Sequence, residues 1–372
     1  MFIHVGIIDA DLLGNTKHRF PNLASMKISA YYKEKGDDVN LLLDYDCIEQ
    51  YDDVFVSKVF TKTKVPEEIF TAPNVHIGGT GFFFDKAEPL PDEIEHHFPD
   101  YHLYDGFVSK TLDGGGKKSS LTAYTDYSIG YLTRGCFRQC KFCVNQNKKK
   151  VEAHSPLEEF YDPTRRIICL LDDNFFGCPQ WKELLLQLKA TNKPFIFKQG
   201  LDERLLTDEK CELLFSSKYH KDFIFAFDDI KDYDLIESKL KMIRRHTNKP
   251  MMFYVLVGFK SVDADDVENA FKRIELLFQY GCYPYIMRYR SDTDEPWKTS
   301  EYRGMYVTLA RWLNQPSMAK KCTIRDFADA DMRNGQSSTM KYITAFEEKH
   351  PDIAKRYFDI RMKKASNIAI LI

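Results

Sequence analysis

Six times between residues 127 and 313 a short apolar run is followed by an amphipathic one, and this alternation constrains the fold more than any other feature of the chain. The spacing predicts strands at 127–133, 167–171, 195–198, 223–227, 251–257 and 283–287. Helices are expected at 157–161, 179–190, 208–217, 232–246, 264–280 and 301–313. Apolar strands alternating with amphipathic helices argue for a parallel sheet with helices on its outside. In such α/β folds the chemistry sits at the carboxyl ends of the strands.

Directly after the first of these strands comes Cys136-Phe137-Arg138-Gln139-Cys140-Lys141-Phe142-Cys143, three cysteines spaced C-x3-C-x2-C. Three soft thiolates on one loop suit three irons of a four-iron cluster and leave the fourth iron without a protein ligand, open for chemistry. The same thiolates with His154, Cys169 or Cys178 as a fourth ligand would make a closed zinc site. Both readings stand on spacing alone.

Taken with Thr133-Arg134-Gly135 ahead of it and Lys141-Phe142-Cys143 at its end, the motif resembles the signature of the radical S-adenosylmethionine (SAM) enzymes. Six strand–helix pairs are also the number in the partial TIM-type barrel of that family's core. The resemblance implies a [4Fe-4S] cluster on Cys136, Cys140 and Cys143. It implies SAM cleaved reductively to a 5′-deoxyadenosyl radical, a reducing cytoplasm, and an electron donor such as flavodoxin or ferredoxin.

It also implies SAM contacts. Phe142 matches an aromatic packed near the adenine, and Asp172, Asp173 and Asn174 follow the second strand where the amino group is commonly bound. Gln199 and Arg204 follow the third strand in Lys198-Gln199-Gly200-Leu201-Asp202-Glu203-Arg204, and Val257 and Gly258 end the fifth, where the adenine edge is read. Each has a plainer alternative: a helix cap at 172–174, an Asp202–Arg204 pair, a buried strand ending in a turn at 257–258. Arg288, Tyr289 and Arg290 are candidates for touching substrate or for a solvated strand end.

Ahead of the core, residues 2–8 read as a buried parallel strand and 22–35 as a helix, with further strands at 38–43, 54–57 and 75–77. This is Rossmann-like, and it is similar to the cobalamin-binding domain that precedes many radical SAM cores. Cobalamin-binding members carry Asp-x-His-x-x-Gly after the first strand. This chain has Asp9-Ala10-Asp11-Leu12-Leu13-Gly14, with His18 out of register. Cobalamin is disfavoured on that ground, and the expected domains are 1–116 Rossmann-like, 117–315 radical SAM core and 316–372 helical extension. The break is placed at the glycine-rich stretch 114–120.

Nothing in the sequence is apolar for long enough to span a bilayer, the longest run being 251–259, so a cytoplasmic protein without membrane contact is expected. The 53 Lys+Arg and 55 Asp+Glu are unevenly placed. Residues 1–116 hold 10 basic and 20 acidic side chains and the remainder 43 and 35, so an anionic substrate, small or macromolecular, suits the second part. The runs Lys117-Lys118 and Lys148-Lys149-Lys150 read as solvated loop charges. Two alternative functions stay open: a non-catalytic metal-binding or sensor protein with a structural site of three cysteines plus one further ligand, and an RNA-modifying enzyme drawing on the basic part.

Overall fold

Val5, Ile7 and Ile8 are fully buried in β1 (His4–Asp9), the strand around which the first sheet assembles. The computed structural model describes residues 2–15, 19–145, 148–289 and 295–368. The chain divides into two units, Met1–Lys198 and Gln199–Ile372.

In the first unit β1 lies between β2 (Asp38–Leu41) and β3 (Asp53–Ser57), and β4 (Val75–Gly78) extends the sheet, all parallel, in the order β2-β1-β3-β4. A strand flanked on both sides in a parallel sheet is covered on both faces, which is why β1 is apolar nearly throughout. The helix Leu23–Glu34 begins at Asn22, whose Oδ1 accepts from Ser25 N at 3.1 Å, and it buries Met26 and Ile28. Tyr104 ties this layer to the strand end: its hydroxyl donates to Asp9 Oδ2 at 2.9 Å and accepts from Asn22 N at 3.0 Å.

A second parallel sheet of the same unit runs β5 (Tyr127–Gly130), β8 (Ile167–Leu170), β9 (Phe195–Phe197). The expected strand 127–133 breaks after Gly130, which packs edge-tight against the Phe160 ring, and resumes as β6 (Thr133–Arg134). That short strand pairs antiparallel with β7 (Glu152–Ala153), the two strands bracketing the cysteine loop. Tyr101 and Arg165 pin β5 from behind. The Tyr101 hydroxyl accepts from Ile129 N at 2.8 Å and donates to Phe160 O at 2.6 Å, while the Arg165 guanidinium donates to the carbonyls of Tyr101, Tyr124 and Tyr127.

The second unit contains β10 (Phe223–Ala226), β11 (Met251–Val257) and β12 (Tyr283–Arg288), again parallel and in that order. The helix Tyr233–His246 buries Ile236, Leu240 and Ile243, the one-face spacing of an amphipathic helix. Arg273, on the helix Ala264–Gln279, is buried and donates to the carbonyls of Phe227, Asp228 and Leu256, closing the carboxyl ends of β10 and β11. Helices follow at Ile324–Arg333, Ser338–Lys349 and Pro351–Tyr357, and Tyr357 of the third stacks on Phe271.

The strands of the alternating pattern are therefore present, as two three-stranded parallel sheets, one in each unit. The expected helix at 157–161 is only a 3-10 turn, Leu157–Glu159. The glycine-rich stretch 114–120 lies inside the first unit, after the helix Asp105–Asp113. Among the described residues no helix is long and apolar enough to cross a membrane.

Candidate functional site

The carboxyl end of β8 and the loop after β6 meet in the first unit, and three consecutive residues make the junction. Asp172, 1% exposed, accepts from Thr133 N and Thr133 Oγ1, both at 2.7 Å, through Oδ1, and from Leu132 N at 3.2 Å through Oδ2. Burial pushes its pKa up to about 7, opposed by the bond from the Thr133 hydroxyl and the two backbone N–H donors. Its side chain fixes the entrance to the cysteine loop.

Asp173 holds the loop at both ends. Its Oδ2 accepts from Gly135 N at 2.8 Å, one residue before the first cysteine, and its Oδ1 accepts from Asn145 Nδ2 at 2.8 Å, two residues after the last. Gly135 itself has φ +98°, and a Cβ there would run into the Lys150 carbonyl oxygen. Only glycine lets the outgoing and returning segments approach this closely. Within the loop Cys136 N donates to Lys148 O at 3.1 Å and Cys143 N to Cys140 O at 2.8 Å.

Among the described residues N–H groups reach the sulfurs of Cys136 and Cys143. Asn174 Nδ2 donates to Cys136 Sγ at 3.4 Å, and Asn145 N donates to Cys143 Sγ at 3.4 Å. Burial raises the pKa of the Cys143 thiol, and the Asn145 N–H opposes that rise. Donors aimed at sulfur favour thiolate over thiol and are a principal control on the potential of sulfur-ligated iron.

All three cysteines are partly exposed. Among the described residues no three His, Cys, Asp or Glu side chains stand gathered around a common point that would hold a metal ion. The donor set nevertheless fits an iron–sulfur group: three thiols on one loop braced at both ends, with N–H donors on Cys136 and Cys143 sulfur. Closure of such a loop around its metal is ordinarily coupled to binding.

The expected fourth ligands of a closed site are engaged elsewhere. Cys169 is buried within β8, and Cys178 donates to Gln180 Oε1 at 3.2 Å. His154 stacks on His96, with Nδ1 3.1 Å from Ser155 Oγ and Nε2 3.6 Å from Glu95 Oε1.

Four other expected site residues belong to the second unit. Gln199 is exposed. Arg204 is taken up by two carboxylates, Nε to Asp202 Oδ1 at 2.7 Å and Nη1 to Asp232 Oδ2 at 2.9 Å, so the expected pairing with Asp202 is present. Val257 is core, and its carbonyl accepts from Tyr289 N at 2.9 Å. Gly258, at φ +72°, donates its N–H to Asp266 Oδ2 at 2.8 Å and lies under the Trp297 ring, 3.0 Å from where a Cβ would stand. Arg290 and His18 lie outside the described residues.

Two residues that sequence reading does not single out emerge here. Asn145 supplies both a clamp contact and a sulfur contact, and its position two residues past the last cysteine is the available signal. Glu203 is 1% exposed, with Oε1 unbonded among the described residues and Oε2 accepting from Ala226 N at 3.3 Å; burial pushes its pKa up to about 8. Flanked by Asp202 and Arg204, it gives no sequence signal of burial.

No protein-family model and no curated protein matches the chain. Solved structures similar to it include the cobalamin-dependent SAM radical enzyme OxsB with aqua-cobalamin and SAM bound, and the same enzyme with aqua-cobalamin bound. Identity is 13% in both, with TM-scores of 0.36 and 0.37 over 99% and 92% of this chain. This chain spans 58% of the length of either. Both belong to the superfamily that the cysteine loop resembles, but scores this low transfer no property to this chain.

The expectation that cobalamin is disfavoured is corrected. It stood on residue 11 alone, and both similar structures are of a cobalamin-dependent enzyme with aqua-cobalamin bound. The structure supplies the physical reason that residue 11 is a poor guide. Asp11 is fully buried and is spent on the loop after β3, accepting from Val59 N at 2.6 Å, from Phe60 N and from the Thr63 hydroxyl. Its identity answers to that loop.

Proposed function

We propose that this chain is a radical SAM enzyme in which Cys136, Cys140 and Cys143 hold a [4Fe-4S] cluster, acting on an anionic substrate. The observation that carries the reading is the double clamp of Asp173 on Gly135 and Asn145, together with the N–H donors placed on Cys136 and Cys143 sulfur. When bound, such a cluster supplies the electron for reductive cleavage of SAM to methionine and the 5′-deoxyadenosyl radical.

The chain's own residues do the positioning. Asp172 fixes the strand end ahead of the loop, Asp173 sets the loop's span, and Asn174 and Asn145 lend positive hydrogen to sulfur as negative charge arrives there. Phe142 and Asn174 are the proposed SAM contacts beside the cysteine sulfurs. Because Arg204 already carries two carboxylates, its proposed part is to order the turn after β9. The accompanying domain reading is 1–116, 117–315 and 316–372.

Metal analysis tests this. Anaerobically reconstituted protein is expected to hold about four iron and four sulfide per chain, with an electron paramagnetic resonance signal after reduction that changes when SAM is added. Cys136→Ala, Cys140→Ala and Cys143→Ala should each lose it. Stoichiometric zinc with no capacity for iron would overturn the proposal in favour of a structural site.

A further inference from the structure

The buried arginines of this chain are spent on acceptors. Arg165 donates to the carbonyls of Tyr101, Tyr124 and Tyr127, Arg273 to those of Phe227, Asp228 and Leu256, and Arg244 to those of Thr247, Lys249, Tyr280 and Gly281. Arg134, two residues before Cys136, is different. Its guanidinium lies over the Tyr131 ring at 4.0 Å, and its Nε is buried with no hydrogen-bond partner among the described residues. The rest of the side chain is half-buried, so a solute can reach the fork from solvent.

Three carboxylates act on Arg134 through their charge, Asp173, Glu95 and Asp172, and each is already engaged. Asp172 takes Leu132 N and Thr133, and Asp173 takes Gly135 N and Asn145. Glu95 takes the buried amine of Lys27, with Nζ 3.2 Å from Oε1. Among the described residues no carboxylate forms an ion pair with Arg134. A guanidinium withdrawn from water without an acceptor carries a desolvation cost that nothing returns, and an anion arriving from solvent would return it.

A second cation stands nearby. Lys148 is exposed, and its Cβ is 3.4 Å from where a Cβ on Gly135 would stand. Partial burial and the charge of Arg134 both work against the protonated Lys148 amine, so the two cations face each other without an anion to separate them. Successive side chains of a strand point to opposite faces. Thr133 turns its hydroxyl to Asp172, which sends Arg134 to the other face of β6.

We propose that Arg134, backed by the Tyr131 ring and assisted by Lys148, is the oxyanion seat of the substrate. The fork takes a carboxylate or phosphate group through two parallel N–H bonds, and the Lys148 amine adds a mobile third donor. Calling the ligand a substrate rests on the radical SAM reading above, whereas the seat itself stands on these side chains with or without a cluster. Held at the foot of the cysteine loop, the charged end of the ligand leaves its remainder free to extend toward the sulfurs.

The test titrates inorganic phosphate, and separately acetate, into the full chain without its cluster, with ionic strength held constant by chloride. Heteronuclear NMR follows the Arg134 Nε–H resonance, identified by its loss in Arg134→Gln. It should move saturably with at least one of the two anions. Calorimetry with that anion should find binding weakened about tenfold or more in Arg134→Gln, the scale of one charge-assisted hydrogen bond. Arg134→Lys, which keeps the charge and loses the fork, and Lys148→Gln should each weaken it severalfold. Melting profile and iron content after reconstitution should stay at wild-type values in these variants, which keeps failure of the seat separate from failure of the cluster reading. No saturable shift with either anion, or equal binding by Arg134→Gln, would overturn the proposal. So would a SAM affinity that falls tenfold in Arg134→Gln, because the guanidinium would then belong to the SAM carboxylate.

Discussion

Asp173 Oδ1 accepts a hydrogen bond from Asn145 Nδ2 at 2.8 Å across 28 residues of sequence, joining the carboxyl end of β8 to the return of the cysteine loop. The other oxygen of the same carboxylate takes Gly135 N, so one side chain sets the distance between the loop's two ends. The span of the loop is thereby set by a residue outside it.

Asp173→Ala should therefore lose iron without losing the fold. Removing the carboxylate strands two N–H donors, at about 1–3 kcal/mol for each group left unsatisfied. Iron retained after reconstitution should drop severalfold while the far-ultraviolet circular dichroism is unchanged. Amide exchange over 134–145 should quicken. Wild-type iron content in this variant would show that the clamp is dispensable.

Gly135→Ala is expected to be worse. The φ of +98° is costly for any residue with a Cβ, and the new methyl meets the Lys150 carbonyl. Strain of this type costs on the order of 1–3 kcal/mol before the clash is counted. Chemical denaturation should show the loss in protein lacking metal, which separates it from any effect on cluster loading.

Asn174→Ala should shift a potential. Its Nδ2 donates to Cys136 Sγ, and a hydrogen bond to sulfur favours the more negative, reduced state. Potentiometric titration of reconstituted protein should find the variant harder to reduce than wild type. An unchanged potential would remove Asn174 from the sulfur environment.

Glu203 predicts a pH dependence of stability. Burial raises its pKa in the folded chain to about 8, against roughly 4.3 for an unfolded glutamate. The folded state then prefers the neutral acid. Its contribution is fully present below about pH 4.3 and is lost as pH rises through 8. Glu203→Gln keeps a neutral group of the same shape, so it should unfold at higher denaturant than wild type at pH 9, with the advantage shrinking toward pH 5. A constant difference across that range would contradict the assignment.

Much of this fold can be read from the sequence because its strands are written in continuous apolar runs. The strand 251–257 is found as Met251–Val257, and Asn22 caps the helix that the pattern places at 22–35. The first core strand departs from the pattern because Gly130 and Phe160, distant in sequence, break it by packing. The three cysteines are legible as a motif, and so is the cluster of polar residues at 172–174. What those polar residues do is not. The resemblance implies SAM contacts for Asp172 and Asp173 beside the plainer reading of a helix cap, and in the structure their oxygens are found on Thr133, Gly135 and Asn145, partners that only the pairing of β5 with β8 brings near. The partners of Asp11 are likewise hidden from the sequence, since they lie 48 to 52 residues away.

The central claim is that the three-cysteine loop holds a cluster that cleaves SAM. The most direct measurement is 5′-deoxyadenosine formed by anaerobically reconstituted protein given SAM and dithionite, run beside Cys140→Ala at equal protein concentration. The account predicts SAM-dependent product from wild type and none from Cys140→Ala. Equal product from both, or none from wild type carrying four irons, would contradict it.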